Sequence, residues 1–198
     1  MSQITSLCVY CGSSSGSRPE YAEQARAFGT ELARRGITLV YGGGNVGLMG
    51  IVADAVLADG GKVVGVIPRH LVEKEVAHTG LSEMLVVETM HERKTRMYEL
   101  SQAFVALPGG FGTLDEMFEM LTWAQLGLHQ WPCAFLDTQG YYRHLLQAMR
   151  HMVDEKFVRS AQLDGIWFGE SIDALFDWMA QYQPTFVPKW IDESAVAP

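Results

Sequence analysis

The chain has 198 residues, 48% of them hydrophobic and 19% charged, with a formal net charge of -8 and a pI near 5.2. The hydrophobic share excludes a largely disordered chain, and the length suits one domain with one full core rather than two. The acidic balance argues against nucleic acid as a partner but leaves room for a small phosphorylated ligand, which a local cation and a few backbone N–H groups can hold.

The opening residues, Met1 to Gly16, show neither a basic leader nor an apolar run of signal-peptide length. No stretch reaches the roughly 18 to 20 apolar residues of a membrane span, so the expected location is cytoplasmic, without membrane contact. From there, short apolar runs alternate with helical patterns, which is the signature of βαβ units. The first predicted strand, Ser6 to Cys11, holds two of the three cysteines, Cys8 and Cys11, the third being Cys133. In an extended run, cysteines three residues apart lie roughly 10 Å from each other, too far for a disulfide. No second ligand pair completes a zinc site, and no metal is expected.

A helix from Glu20 to Arg35 stops at Gly36, and the strand Thr38 to Tyr41 leads to a helix from Val46 to Ala58 that stops at Gly60. Strands Lys62 to Ile67 and Met84 to Glu88 follow, then a helix from Met90 to Gln102, a strand from Ala103 to Leu107 and a helix from Gly112 to Leu128. The strand Cys133 to Leu136 and helices Tyr141 to Phe157 and Ile172 to Tyr182 complete the set. No linker or repeat interrupts it. The expected architecture is therefore α/β: a single-domain Rossmann-like parallel sheet flanked by helices on both faces over residues 1–183, with an irregular tail at 184–198. Such sheets bind ligands beyond the carboxyl ends of their strands.

Three strands run into small-residue loops: Cys11-Gly-Ser-Ser-Ser-Gly16, Gly42-Gly-Gly-Asn-Val-Gly47 and Pro108-Gly-Gly-Phe-Gly-Thr113. Tight βα turns use Gly and Ser for their own sake, yet three such loops at one sheet edge point to a shared crevice, with Gly12, Ser13, Gly43 and Gly44 as phosphate-loop candidates. The second loop spells G-x-G-x-x-G, but the next strand ends in Pro68-Arg69 rather than in the acid that holds the ribose of a dinucleotide. No Gly-Lys-Ser/Thr follows any Gly cluster, which excludes a Walker A loop.

In Pro108-Gly-Gly-Phe-Gly-Thr-Leu-Asp-Glu116, Thr113 and Glu116 have capping-box spacing, and Glu116 alternatively faces a bound sugar. Asp115 is assigned to the helix dipole and solvent. Glu119, one turn on, either shares the Glu116 face or is solvated. Upstream, Met90-His-Glu-Arg-Lys94 opens a helix, and Arg93 either clamps a phosphate or ribose or belongs to a solvated face with Glu92, Lys94 and Arg96. His91 reads as a capping or surface residue, and His70, His78 and His144 lack metal-ligand spacing.

Together the Met90–Lys94 and Pro108–Glu116 segments resemble the paired signatures of the Lonely Guy (LOG) cytokinin-activating phosphoribohydrolases. The resemblance runs from Cys8 to about Asp137 and includes Tyr-Gly-Gly-Gly at 41 to 44, Gly-Leu-Met-Gly at 47 to 50 and Ile-Pro-Arg at 67 to 69. It implies hydrolysis of an N6-substituted adenosine 5'-monophosphate, or of AMP, to free base and ribose 5-phosphate, without a cofactor and in a homodimer. It also implies that Arg93 and Glu116 are catalytic and that Glu75, Lys94, Gly109, Gly110, Phe111, Gly112, Thr113, Leu114, Asp115 and Thr122 contact substrate. The lysine decarboxylase label carried by such sequences fits poorly, since no pyridoxal-phosphate lysine context is present. Two other readings remain at this point. One is a carrier of the molybdenum-cofactor type, which holds an anionic ligand and has no need of an Arg93–Glu116 pair; the other is an NAD-dependent oxidoreductase.

Overall fold

The computed structural model describes residues 4–72 and 77–184. Glu75 and the tail beyond residue 184 lie outside the described residues. Seven strands form one parallel sheet: β1 (Ser6–Tyr10), β2 (Thr38–Tyr41), β3 (Val63–Pro68), β4 (Glu83–Val87), β5 (Phe104–Ala106), β6 (Cys133–Leu136) and β7 (Ile166–Gly169). Their order is β4-β3-β2-β1-β5-β6-β7, so the sheet grows outward from β1 in both directions. The reversal falls between β1 and β5, paired through Cys8–Phe104, Val9–Val105 and Tyr10–Ala106, and a ligand crevice is expected beyond their carboxyl ends.

Both faces are covered, as the fold reading requires. On one face α1 (Pro19–Arg34), α2 (Gly47–Ala58) and α7 (Ile172–Gln181) bury Phe28, Leu32, Val52, Val56, Leu175 and Phe176 against Leu7, Val9, Leu39 and Val105. On the other, α3 (Met90–Glu99) and α4 (Phe111–Gln125) bury Met97, Met117 and Met120 against Cys8, Tyr10, Phe104 and Phe135. Cys8 and Cys11 thus belong to opposite cores, and all three cysteines are free and buried. No described helix is long and apolar enough to cross a membrane.

Several boundaries differ from expectation. The strand β7, Ile-Trp-Phe-Gly, and the short helix α6 (Ser160–Asp164) were not predicted, because four half-buried residues between Gly165 and Glu170 carry neither alternation nor a long apolar run. Helix α5 (Arg143–Asp154) begins after Tyr141 and Tyr142, since the chain first makes a 3-10 turn at Thr138–Gly140 in which Gln139 takes φ 55°. Helix α3 ends at Glu99, short of Gln102, and α4 ends at Gln125, short of Leu128. Just past α4, buried His129 accepts the Trp131 N–H at Nδ1 (3.1 Å), so its proton sits on Nε2, which donates to the Met120 carbonyl at 2.8 Å. Burial holds its pKa below the usual histidine value, against the opposing pull of that carbonyl.

Candidate functional site

The three glycine loops meet. Gly12 N–H donates to the Pro108 carbonyl at 3.0 Å, and Leu48 N–H donates to the Gly12 carbonyl at 3.0 Å. A Cβ on Gly47 would lie 2.3 Å from the Ser13 carbonyl carbon, and one on Gly109 would lie 2.1 Å from Thr113 Oγ1. These glycines are therefore required by loop-on-loop packing. Gly43 and Gly44 are buried and occupied as well: the Gly43 carbonyl accepts His78 N–H at 3.0 Å, and Gly44 bridges to Ala77. Of the phosphate-loop candidates, Ser13 remains exposed and Gly12 half-buried. Gly110 and Gly112 differ in kind, because nothing lies within 4 Å of where their Cβ atoms would stand.

Helix α4 begins at Phe111 with Gly110 as its N-cap and no side-chain cap. Of the two alternatives for Thr113 and Glu116, the capping box is excluded: Thr113 is already helical and buried, and Glu116 sits in the second turn, about 7 to 8 Å along the axis from the first residue. The capping box that does form is Thr89 with Glu92 at the start of α3; Thr89 Oγ1 accepts Glu92 N–H at 3.1 Å, and Glu92 Oε2 accepts the N–H groups of Thr89 and Glu88. The spelling T-x-x-E at 89 to 92 is the sequence signal of this cap.

That cap sets the direction of α3 and with it Arg93. Arg93 is only 6% exposed, which excludes the solvated-face reading. Its Nη2 donates to the Gly42 carbonyl at 3.1 Å, across 51 residues of sequence. A Cβ on Gly42 would stand 2.0 Å from that nitrogen, so the Tyr-Gly-Gly-Gly run makes room for a guanidinium. The half-buried Glu116 and Arg93 act on the same place. At the Cys8 thiol, where burial is the main cause of a raised pKa, the Glu116 charge adds to the rise and the Arg93 charge opposes it. Tyr10 and Cys11 are raised in the same way, by burial first and by Glu116 in addition. Arg93 thus sits on the carbonyl just past β2 and Glu116 in the second turn of α4, and the charges of both are felt in β1, the strand at the reversal of the sheet.

Lys94 turns to α4, with Nζ 3.3 Å from Asp115 Oδ2 and 3.2 Å from Glu119 Oε2. Asp115 and Glu119 are thus not simply solvated acids; they hold a cation that is itself mostly buried. Burial disfavours the charged Lys94, but the two carboxylates outweigh it and its pKa is raised. Leu114 packs into the α4 side of the core, while Phe111 projects from the helix start at 94% exposure. Thr122 is not brought to this cluster. It lies six residues beyond Glu116, about 120° away around the helix, donating to the Phe118 carbonyl at 2.7 Å. There it lines an apolar cavity of about 140 Å³ with Phe118, Leu121, Met149, Met152 and Val158.

Comparison with known proteins bears on this arrangement. A family model described as "possible lysine decarboxylase" matches residues 49–179. The cytokinin riboside 5'-monophosphate phosphoribohydrolase LOG7 of Arabidopsis thaliana is 44% identical over 185 residues, covering 93% of this chain and 85% of that protein. The chain belongs to the LOG family. LOG5 of the same plant is 47% identical over 161 residues, 81% of this chain and 71% of its own length, and LOG1 is 43% identical over 183 residues, covering 92% and 86%. Among solved structures, the molybdenum cofactor carrier protein of Chlamydomonas reinhardtii superposes on this LOG-family chain with a TM-score of 0.68 at 18% identity, covering 91% of it and 98% of the carrier. The molybdenum cofactor binding protein of Rippkaea orientalis gives 0.67 at 18%, with the same coverage. At such identity the likeness shows a shared fold alone.

Proposed function

We propose that the chain hydrolyses the N-glycosidic bond of adenosine 5'-monophosphates, N6-substituted or plain, releasing the free base and ribose 5-phosphate. The observation that carries the reading is a buried Arg93 fixed on the Gly42 carbonyl at the carboxyl edge of the sheet, with the helix start that leads to Glu116 open to a ligand at Gly110 and Gly112. Family membership and the printed activity of the plant relatives support it.

The chemistry follows from the geometry. First-turn amides of α4 have no partner inside the helix and carry its positive dipole end, so Gly110, Phe111, Gly112 and Thr113 receive the 5'-phosphate. The span from there to Glu116 seats a ribose. Cleavage of the bond between C1' and the base nitrogen passes through an oxocarbenium-like state, which the Glu116 carboxylate stabilises while taking a proton from the water that attacks C1'. Arg93, fixed by the Gly42 carbonyl, orients the ribose phosphate or polarises the Glu116 carboxylate. Lys94, held between Asp115 and Glu119, is a further substrate contact that the family resemblance implies. Glu75 belongs to the contact set that the family resemblance implies, and Ser13 is a phosphate-loop candidate read from its own loop.

The chain is further proposed to act in the cytoplasm as a homodimer. The support is apolar surface along and beyond α4: Phe118 is half-buried, and Leu126 and Leu128 past the helix end are exposed. A concentration-independent monomer in analytical ultracentrifugation would refute the dimer.

The activity is tested by incubating the protein with AMP and with isopentenyladenosine 5'-monophosphate, unphosphorylated nucleosides serving as controls, and separating the products by chromatography. Base released from the monophosphates alone supports the reading and ranks the substrates. Binding without release moves the protein to the carrier reading.

A further inference from the structure

The three carbonyls that lead into α4 are held by three different donors. Leu107 accepts the Tyr142 hydroxyl at 2.6 Å, Pro108 accepts Gly12 N–H at 3.0 Å, and Gly109 accepts the Tyr141 hydroxyl at 2.6 Å. A peptide unit is planar and trans, so fixing its carbonyl also fixes the N–H of the following residue on the opposite side. The consequences differ along the loop. The unit that Tyr142 holds ends in Pro108 and has no N–H to present. The unit that Tyr141 holds ends in Gly110, the N-cap of α4, and carries the Gly110 N–H.

Gly110 is where the loop has least to restrain it, since it lacks a Cβ and nothing stands within 4 Å of where one would be. The Tyr141 hydroxyl supplies that restraint from outside the loop. Its own placement is built with care. The ring stands edge-on to Tyr21, with centroids 5.7 Å apart, and to Tyr142 at 4.9 Å. Asp137 Oδ1 accepts Tyr142 N–H at 2.5 Å, which anchors the turn ahead of α5. Tyr141 is nevertheless 40% exposed, whereas Tyr142 is 2% exposed and belongs to the core.

We propose that Tyr141 is a positioning residue for the substrate phosphate: its hydroxyl locks the Gly109–Gly110 peptide so that the Gly110 N–H points to the open side of the loop and donates to the 5'-phosphate. This rests on the phosphoribohydrolase reading. It assigns a role in binding to a residue 32 positions from the carbonyl it holds.

The test compares Tyr141→Phe and Tyr142→Phe with the wild type in three measurements: base release from AMP, affinity for ribose 5-phosphate by calorimetry, and thermal unfolding. Tyr141→Phe keeps the ring contacts and loses only the hydroxyl. It is expected to raise KM about fivefold and weaken ribose 5-phosphate by the same factor, the scale of one neutral hydrogen bond, with kcat within twofold and Tm unchanged. Tyr142→Phe leaves a buried carbonyl unsatisfied, so it lowers Tm and leaves ribose 5-phosphate affinity alone. An active wild type whose KM and ribose 5-phosphate affinity are both unmoved by Tyr141→Phe overturns the positioning role. A wild type that binds ribose 5-phosphate less well after Tyr141→Phe but never releases base keeps the positioning role and removes the enzymatic reading instead.

Discussion

Substituting Gly42 by Ala puts the proposed chemistry to a sharp test, because the only group in its way is a functional one. The added Cβ would stand 2.0 Å from Arg93 Nη2, where real contacts stay above 3.0 Å, so the guanidinium must retreat by at least about 1 Å. The retreat costs the fold the Arg93 bond to the Gly42 carbonyl, about 1.5 to 3 kcal/mol for a buried charged donor, or roughly 3 to 12 °C in Tm for a domain of this size. For catalysis the same movement is expensive, since a misplacement of about 1 Å in a catalytic constellation can cost about 100-fold. Gly42→Ala is therefore expected to lower kcat/KM for AMP about 100-fold in a protein that still folds, with Tm down by roughly 3 to 12 °C, measured by base release and calorimetry. A folded Gly42→Ala protein within about threefold of wild-type kcat/KM would refute the claim that Gly42 exists to seat Arg93 and that Arg93 position matters.

Glu116→Gln keeps the size of the side chain and removes the charge, so base release should fall by about 10³-fold while ribose 5-phosphate still binds; retained turnover would remove Glu116 from the mechanism. His129 is buried neutral with a lowered pKa, so the unfolded chain takes up its proton at a higher pH than the native one. Its contribution to stability is complete above about pH 6.5 and is lost as pH falls below it, by at most about 1.4 kcal/mol per pH unit. His129→Gln should flatten the difference in unfolding free energy between pH 7.5 and pH 5.5, and an unchanged difference would show that other groups set it. The three cysteines are free and buried, with the Cys133 thiol pushed up to about 12 by burial. A thiol reagent at pH 8 should label none of them in the native protein and all three in denaturant; rapid native labelling would contradict their burial.

The parallel sheet was legible because buried strands read as apolar runs, as in Cys133 to Leu136, which the structure reproduces residue for residue. Strand β7 was hidden by its shortness and its half-buried edge position. The site was legible in part. Motif spelling singled out Arg93 and Glu116, but charge patterning left a solvated face open for Arg93 beside the phosphate clamp, because its burial depends on Gly42, 51 residues away. The same distance effect concealed the ion pairs of Lys94 with Asp115 and Glu119, which join two helices that no sequence window spans together. The two glycine roles were also indistinguishable in one dimension: Gly12, Gly47 and Gly109 serve packing, while Gly110 and Gly112 stand open.

The order of the strands has a kinetic consequence. To build the reversal, the chain leaves β4 at one edge of the sheet, crosses the breadth of three strands through α3, and inserts β5 beside β1. Residues 6–68 can pair β1, β2 and β3 from neighbouring segments, whereas the β1–β5 pairing joins positions about a hundred residues apart and closes a long loop. Arg93 and Glu116 come together only when that closure is made. In a refolding experiment, ellipticity should therefore return ahead of the ability to release base, with the gap between the two marking the time taken to seat β5 beside β1.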